Sequence, residues 1–123
     1  MKIAVTASND QGLEAKIDSR FGRAPYFTIV DVDTMEASVI DNSASNAASG
    51  AGVSAAQTVS DEGVTGVISG NFGPKAFDSL KAGDLKLYSF TDGTVQEAIN
   101  EFKKGTLEEL SNPTNGAHAG LNN

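Results

Sequence analysis

The chain has 123 residues, a size that suits one compact domain with a single core. Nine Lys plus Arg against sixteen Asp plus Glu give a formal charge of −7, a field that opposes general binding to nucleic acid or anionic membrane but leaves room for a local basic pocket. No cysteine is present, which removes disulfides, thiolate nucleophiles, CxxC redox chemistry and thiolate ligation of metals.

The first apolar-rich run, KIAVTAS at 2–8, reads as a buried strand. It breaks at Ser8-Asn9-Asp10, too soon for a secretory signal, and no apolar run is long enough to span a bilayer, so a soluble cytoplasmic protein is expected. A long loop follows over 9–24. Pro25 then opens YFTIVDVD, Asp33-Thr34 offers a turn, and ASVID at 37–41 returns, so 25–41 reads as an antiparallel hairpin. The small-residue stretch SASNAASGAG at 43–52 enters a helix expected to bury Val53, Ala56 and Val59 and to stop at Gly63.

VTGVIS at 64–69 is a short strand, and Gly70-Asn71-Phe72-Gly73 is a turn. Pro74 suits the first position of a helix carrying Ala76, Phe77 and Leu80. LKLYSF at 85–90 is a further strand. Thr94-x-x-Glu97 is a capping box ahead of Val95, Ala98, Ile99 and Phe102, and Gly105 stops that helix. The order β, ββ hairpin, αβαβα predicts a five-stranded mixed α/β sheet with about three helices on its faces, parallel crossovers and an antiparallel edge from the hairpin. The expected domain is 1–108. Residues 109–123, ending SNPTNGAHAGLNN, are rich in turn formers and are expected to be a disordered tail.

Three loops hold the candidate chemistry, and this element order gathers them at the carboxyl end of the parallel strands, where open α/β sheets bind ligands. The first holds both arginines of the chain, Arg20 and Arg23, around Phe21 and Gly22. The second is Ser49-Gly50-Ala51-Gly52 at a helix start, and the third is Gly70-Asn71-Phe72-Gly73 followed by Pro74 and Lys75 at another. Helix starts leave backbone N–H groups unpaired and carry partial positive charge, and glycine lets an anion approach the backbone. Together with the arginines and Lys75 they form a site for a multivalent anion.

Each piece also has a plainer reading. Arg20 and Arg23 pair with Asp18 or another carboxylate, the glycines make tight turns, Pro74 starts a helix, Lys75 is solvated, and Phe21 and Phe72 anchor loops. The glycines do not follow a Walker A pattern or a strand–GxGxxG–helix unit, so a nucleotide is weakly supported. A two-metal nuclease wants a carboxylate on the first strand, which has none; Asp31, Asp33 and Asp41 lie on or beside the hairpin. The sole histidine, His118, falls in the expected tail, where it is either solvated or an extra metal ligand, and no Ser-His-Asp arrangement can be built on it.

DSRFGRAPYF after the first strand, then IDN, GAGVSAAQ, VISGNFGPKAF and VQEAINEF, resembles the dinitrogenase iron–molybdenum cofactor biosynthesis family over about residues 1–108. That family includes small nitrogenase-cofactor carriers, the C-terminal domain of a cofactor-assembly radical enzyme, and the orange protein with its molybdenum–copper sulfide cluster. The resemblance implies a ribonuclease-H-like fold, no catalysis, and a carrier for a Mo–Cu–S or Fe–Mo–S cluster; a monomer that meets a cluster donor or acceptor protein is expected. This chain departs from carriers that ligate through Cys or His, so the implied cluster is an anion held by Arg20, Arg23, Lys75 and the backbone N–H groups around 50–52 and 70–73, with Phe21 and Phe72 as low-dielectric walls. An interaction module without a cluster and a phosphate- or nucleotide-binding domain are the competing expectations.

Overall fold

A computed structural model describes residues 1–43, 45 and 50–113. Five strands form one sheet: β1 (Lys2–Ala7), β2 (Tyr26–Asp31), β3 (Ala37–Asp41), β4 (Gly66–Ser69) and β5 (Lys86–Ser89). Three helices accompany them: α1 (Ala51–Ser60), α2 (Pro74–Ala82) and α3 (Val95–Lys104). The strand order is β3-β2-β1-β4-β5. β1 runs parallel to β4 and β4 to β5, while β2 is antiparallel to both β1 and β3. The reversed strand is therefore the inner β2 rather than the sheet edge, because a hairpin that follows β1 places its first arm beside β1 and its second outside.

Period-two alternation distributes the strand side chains between two cores. Ala4, Phe27, Ile29, Val67 and Leu87 meet α1 and α2 on one face, and Ile3, Val5, Val30 and Ile68 meet α3 on the other. Each large side chain buried this way contributes roughly 1.5–3 kcal/mol relative to exposure. α3 has the expected capping box, with Thr94 accepting from the Glu97 N–H and Glu97 accepting from the Thr94 N–H. It ends at Gly105 in the left-handed region, φ 78°.

One face is displaced from the expectation. α1 buries Ala51, Ala55, Ala56 and Val59, while Val53 is 46% exposed. The i, i+4 row of small residues turns toward α2, because a close helix pair is packed by Ala and Gly rather than by the branched Val53. The chain also continues its contacts past residue 108. Glu109 bridges antiparallel to Tyr88, the Leu110 N–H donates to the Leu87 carbonyl at 2.7 Å, and Leu110 packs on the first core. Residues 114–123 of the expected tail, His118 among them, lie outside the described residues.

Candidate functional site

Since β1, β3, β4 and β5 all run the same way, the segments leaving them emerge at one end of the sheet. Residues 8–24 leave β1 there, 42–50 lead from β3 to α1, and 70–73 lead from β4 to α2. The first of these is folded. It contains a 3-10 turn at Gly12–Glu14, and Ile17 bridges back to Ala7. The Thr6 hydroxyl donates to the Asp18 carbonyl at 2.7 Å, and the Asp18 N–H donates to the Thr6 carbonyl.

The first and third loops are stitched to each other. Arg20 and Asn71 form a parallel bridge, the Phe21 N–H donates to the Asn71 carbonyl, and the Asn71 amide donates to the Ser19 carbonyl. Their backbones touch at Gly70, where an added Cβ would stand 2.7 Å from the Ser19 Cα. Only a residue without a Cβ fits there. The same closeness recurs at Gly22, whose Cβ would meet the Cα and N of Gly52 at 3.0 Å, and at Gly52, whose Cβ would meet that of Ala76 at 3.0 Å. Small residues thus bring the Arg23 turn, the start of α1 and the start of α2 into contact.

The two arginines part company. Arg20 closes on Asp18, with Nε 3.3 Å from Oδ1 and Nη2 3.4 Å from Oδ2, and its own backbone N–H also donates to Oδ1 at 2.9 Å. Arg23 sends Nη1 to the Ser45 carbonyl at 3.1 Å. Phe21 and Phe72 are 2% and 0% exposed, with ring centroids 5.5 Å apart, and Phe21 lies equally close to Phe27. Both rings expected as low-dielectric walls are buried, which matches the plainer reading of Phe21 and Phe72 as loop anchors. These rings turn inward because their apolar area is worth more in the core, and they anchor the loops from below.

What remains at the surface is an open depression of about 440 Å³ lined by Gly22, Arg23, Gly50, Ala51, Gly52, Gly73, Pro74, Lys75 and Ala76. Arg20, Gly70, Asn71 and Phe72 support it from outside the lining. Pro74 and Ala76 join the lining without having been singled out as site residues, although their helix-start positions were legible. Ser49 lies outside the described residues.

Both helices start without a side-chain cap, α1 from Gly50 in the left-handed region at φ 75° and α2 from Gly73. Neither carries an acidic residue in its first turn, whereas α3 has Glu97 there. First-turn N–H groups have no intrahelical acceptor, so those of α1 and α2 present positive potential to this depression alongside Arg23 and Lys75. A depression of about 450 Å³ at the opposite end of the sheet has the reverse character, being lined by Asp31, Glu36 and Glu62 with Lys2. There the N–H of Asp33 donates to Asp31 and holds its carboxyl below the usual value, which keeps the group charged. Of these two depressions, the first is the one whose lining favours an anion.

Among the described residues, the side chains do not fit direct ligation of a metal. The chain has no thiol, and among the described residues no group of three or more His, Asp or Glu converges. The donors that do converge are N–H groups and cations, which suit an anion.

Residues 1–105 match the sequence profile of the dinitrogenase iron-molybdenum cofactor family. The chain belongs to that family. Members and neighbours bear out the assignment. The apo form of the orange protein from Desulfovibrio gigas superposes with a TM-score of 0.89 at 37% identity, covering 93% of this chain and 96% of that one. A NifB-type protein from Thermotoga gives a TM-score of 0.80 at 38% identity, covering 93% and 97%. The uncharacterized protein MJ0580 of Methanocaldococcus jannaschii is 31% identical over 113 residues, 89% of this chain and 92% of its own. This member of the cofactor family is thus a small protein of cofactor-related kin, with a mixed α/β fold shared almost end to end. No helix among the described residues is long and apolar enough to cross a membrane.

Proposed function

We propose that the protein is a non-catalytic carrier for an anionic metal–sulfur cluster, of Mo–Cu–sulfide or Fe–Mo-precursor type, held without covalent ligands. The observation that carries this reading is the convergence of two uncapped helix starts with Arg23 and Lys75 on one depression. Each helix start contributes roughly 0.3–1 kcal/mol toward an adjacent negative charge, so a multivalent ion gathers several such terms at once. Guanidinium is planar and weakly hydrated, which suits the soft surface of a sulfide-capped anion. N–H groups at 51–53 and 75–76 are the hydrogen-bond donors in reach of its sulfides. The likeness to the orange protein and to a NifB-type protein supports a cluster as the cargo.

The order β3-β2-β1-β4-β5 with only β2 reversed supports the ribonuclease-H-like assignment, with function moved from carboxylates to loop ends.

Anaerobic reconstitution of the apoprotein with tetrathiomolybdate and copper tests the proposal. A visible chromophore that stays with the protein through gel filtration is the expected result, and a colourless protein peak contradicts it. Displacement of the colour by an equal concentration of phosphate points instead to a phosphate-binding domain.

A further inference from the structure

Asn42 is 3% exposed, and both donors of its side-chain amide go to one turn: Nδ2 donates to the Gly22 carbonyl at 3.1 Å and to the Ala24 carbonyl at 2.8 Å. Those carbonyls flank Arg23 on either side. The Asn42 backbone N–H donates to the Pro25 carbonyl, closing the same turn from its far end. A second path runs from Asn42 to the tip of the Arg23 side chain. The Ser45 N–H donates to the Asn42 carbonyl at 3.1 Å, and the Ser45 carbonyl accepts from Arg23 Nη1 at 3.1 Å. One buried residue therefore governs both the backbone and the guanidinium of the arginine that lines the depression, and it does so at the point where the chain leaves β3 for α1.

We propose that Asn42 is a positioning residue for the anion site, fixing Arg23 over the first turn of α1. Its grip is directional. Gly22, which it holds, is the residue in backbone contact with Gly52, so any slackening of the turn lifts Arg23 and Gly22 from the helix start together. Buried carbonyls left without a donor move toward water, and the Ala24 carbonyl has this amide as its side-chain donor. The Arg20 carbonyl accepts from the Ala24 N–H at 3.0 Å and so belongs to the same turn, but its guanidinium is held separately by Asp18, which makes the Arg20 side chain the internal reference. The expected effect on anion affinity rests on the carrier reading; the effect on Arg23 itself does not.

The test compares the wild-type protein with Asn42→Asp, which keeps the shape and removes the donors, and with Asn42→Ser, which keeps one donor and serves if the first fails to fold. Ile99→Val, a core truncation on the opposite face of the sheet, controls for loss of stability. Phenylglyoxal modification, followed by mass spectrometry, reads each arginine separately. Modification of Arg23 is expected to accelerate about three- to tenfold in the Asn42 variants, with Arg20 unchanged, the equivalent of one lost hydrogen bond. An equal change at both arginines, or none at Arg23, overturns the proposal. In a tetrathiomolybdate titration of the same proteins, the Asn42 variants are expected to bind about tenfold more weakly and Ile99→Val like the wild type. Undiminished affinity in the Asn42 variants also overturns it. A wild-type protein that binds no tetrathiomolybdate refutes the carrier reading, while the arginine ratio still decides the role of Asn42.

Discussion

Arg20 and Arg23 stand three residues apart in an acidic chain, and their surroundings give them different work. Asp18, whose side chain is only 10% exposed, engages the guanidinium of Arg20 and also its backbone N–H, so Arg20 fastens a turn. Arg23 and Lys75 line the depression instead. Arg23→Ala and Lys75→Ala are each expected to weaken tetrathiomolybdate binding by about ten- to a hundredfold, as loss of one charge-assisted hydrogen bond of roughly 1.5–3 kcal/mol would. Arg20→Ala is expected to leave the dissociation constant unchanged, and because the Arg20 side chain is 62% exposed its pair adds at most about 1 kcal/mol to stability. A visible-absorbance titration of the three variants separates these outcomes. Equal loss from Arg20→Ala would mean that the ligand draws Arg20 away from Asp18.

At the scale of elements, β2 carries a cost that its sequence pattern conceals. Thr28 alternates correctly for a strand and is fully buried between Val5 and Val39, yet its hydroxyl has no hydrogen-bond partner among the described residues. Thr28→Val keeps the β-branched shape and removes the stranded hydroxyl, so it is expected to stabilise the fold by about 1 kcal/mol. Thermal unfolding would show this as a rise of about 3–6 °C, and a fall would reveal a water satisfying the hydroxyl. Patterns of this local kind made most of the elements legible in the sequence. The Thr94–Glu97 box, the Pro74 helix start and the Gly105 stop each report on a few neighbouring residues, and each stands where it was expected.

What the sequence concealed was long-range. Val53 falls on a plausible apolar face of α1, and only the approach of Ala76 to Gly52 explains why that helix turns its alanines inward. The three loops of the site were legible as helix starts and glycines, but the burial of Phe21 and Phe72 depends on long-range contacts, Phe21 meeting both Phe27 and Phe72 within one core. Asn42 reads as an ordinary residue after a strand, because its partners are the carbonyls of Gly22 and Ala24, about twenty positions earlier in the chain.

For the molecule as a whole, net charge and local field point in opposite directions. A charge of −7 repels anions at a distance, while one end of the sheet concentrates two helix starts, Arg23 and Lys75 without a first-turn carboxylate. Screening confines the long-range repulsion to roughly 8–10 Å in physiological salt, so an ion already in the depression is governed by the local groups. The fold makes this possible by running four of its five strands the same way and delivering their exits to one edge. The other end, with Asp31, Glu36 and Glu62, offers the opposite field and an internal control. The most direct measurement is an anaerobic titration of isotope-labelled protein with tetrathiomolybdate, followed amide by amide in nitrogen–proton correlation spectra. The account predicts the largest shifts at the N–H groups of Gly22, Arg23, Ala51, Gly52, Val53, Lys75 and Ala76, with the Asp31 end still. Shifts centred on the capped start of α3 or on the acidic end of the sheet, with these amides unmoved, would contradict it.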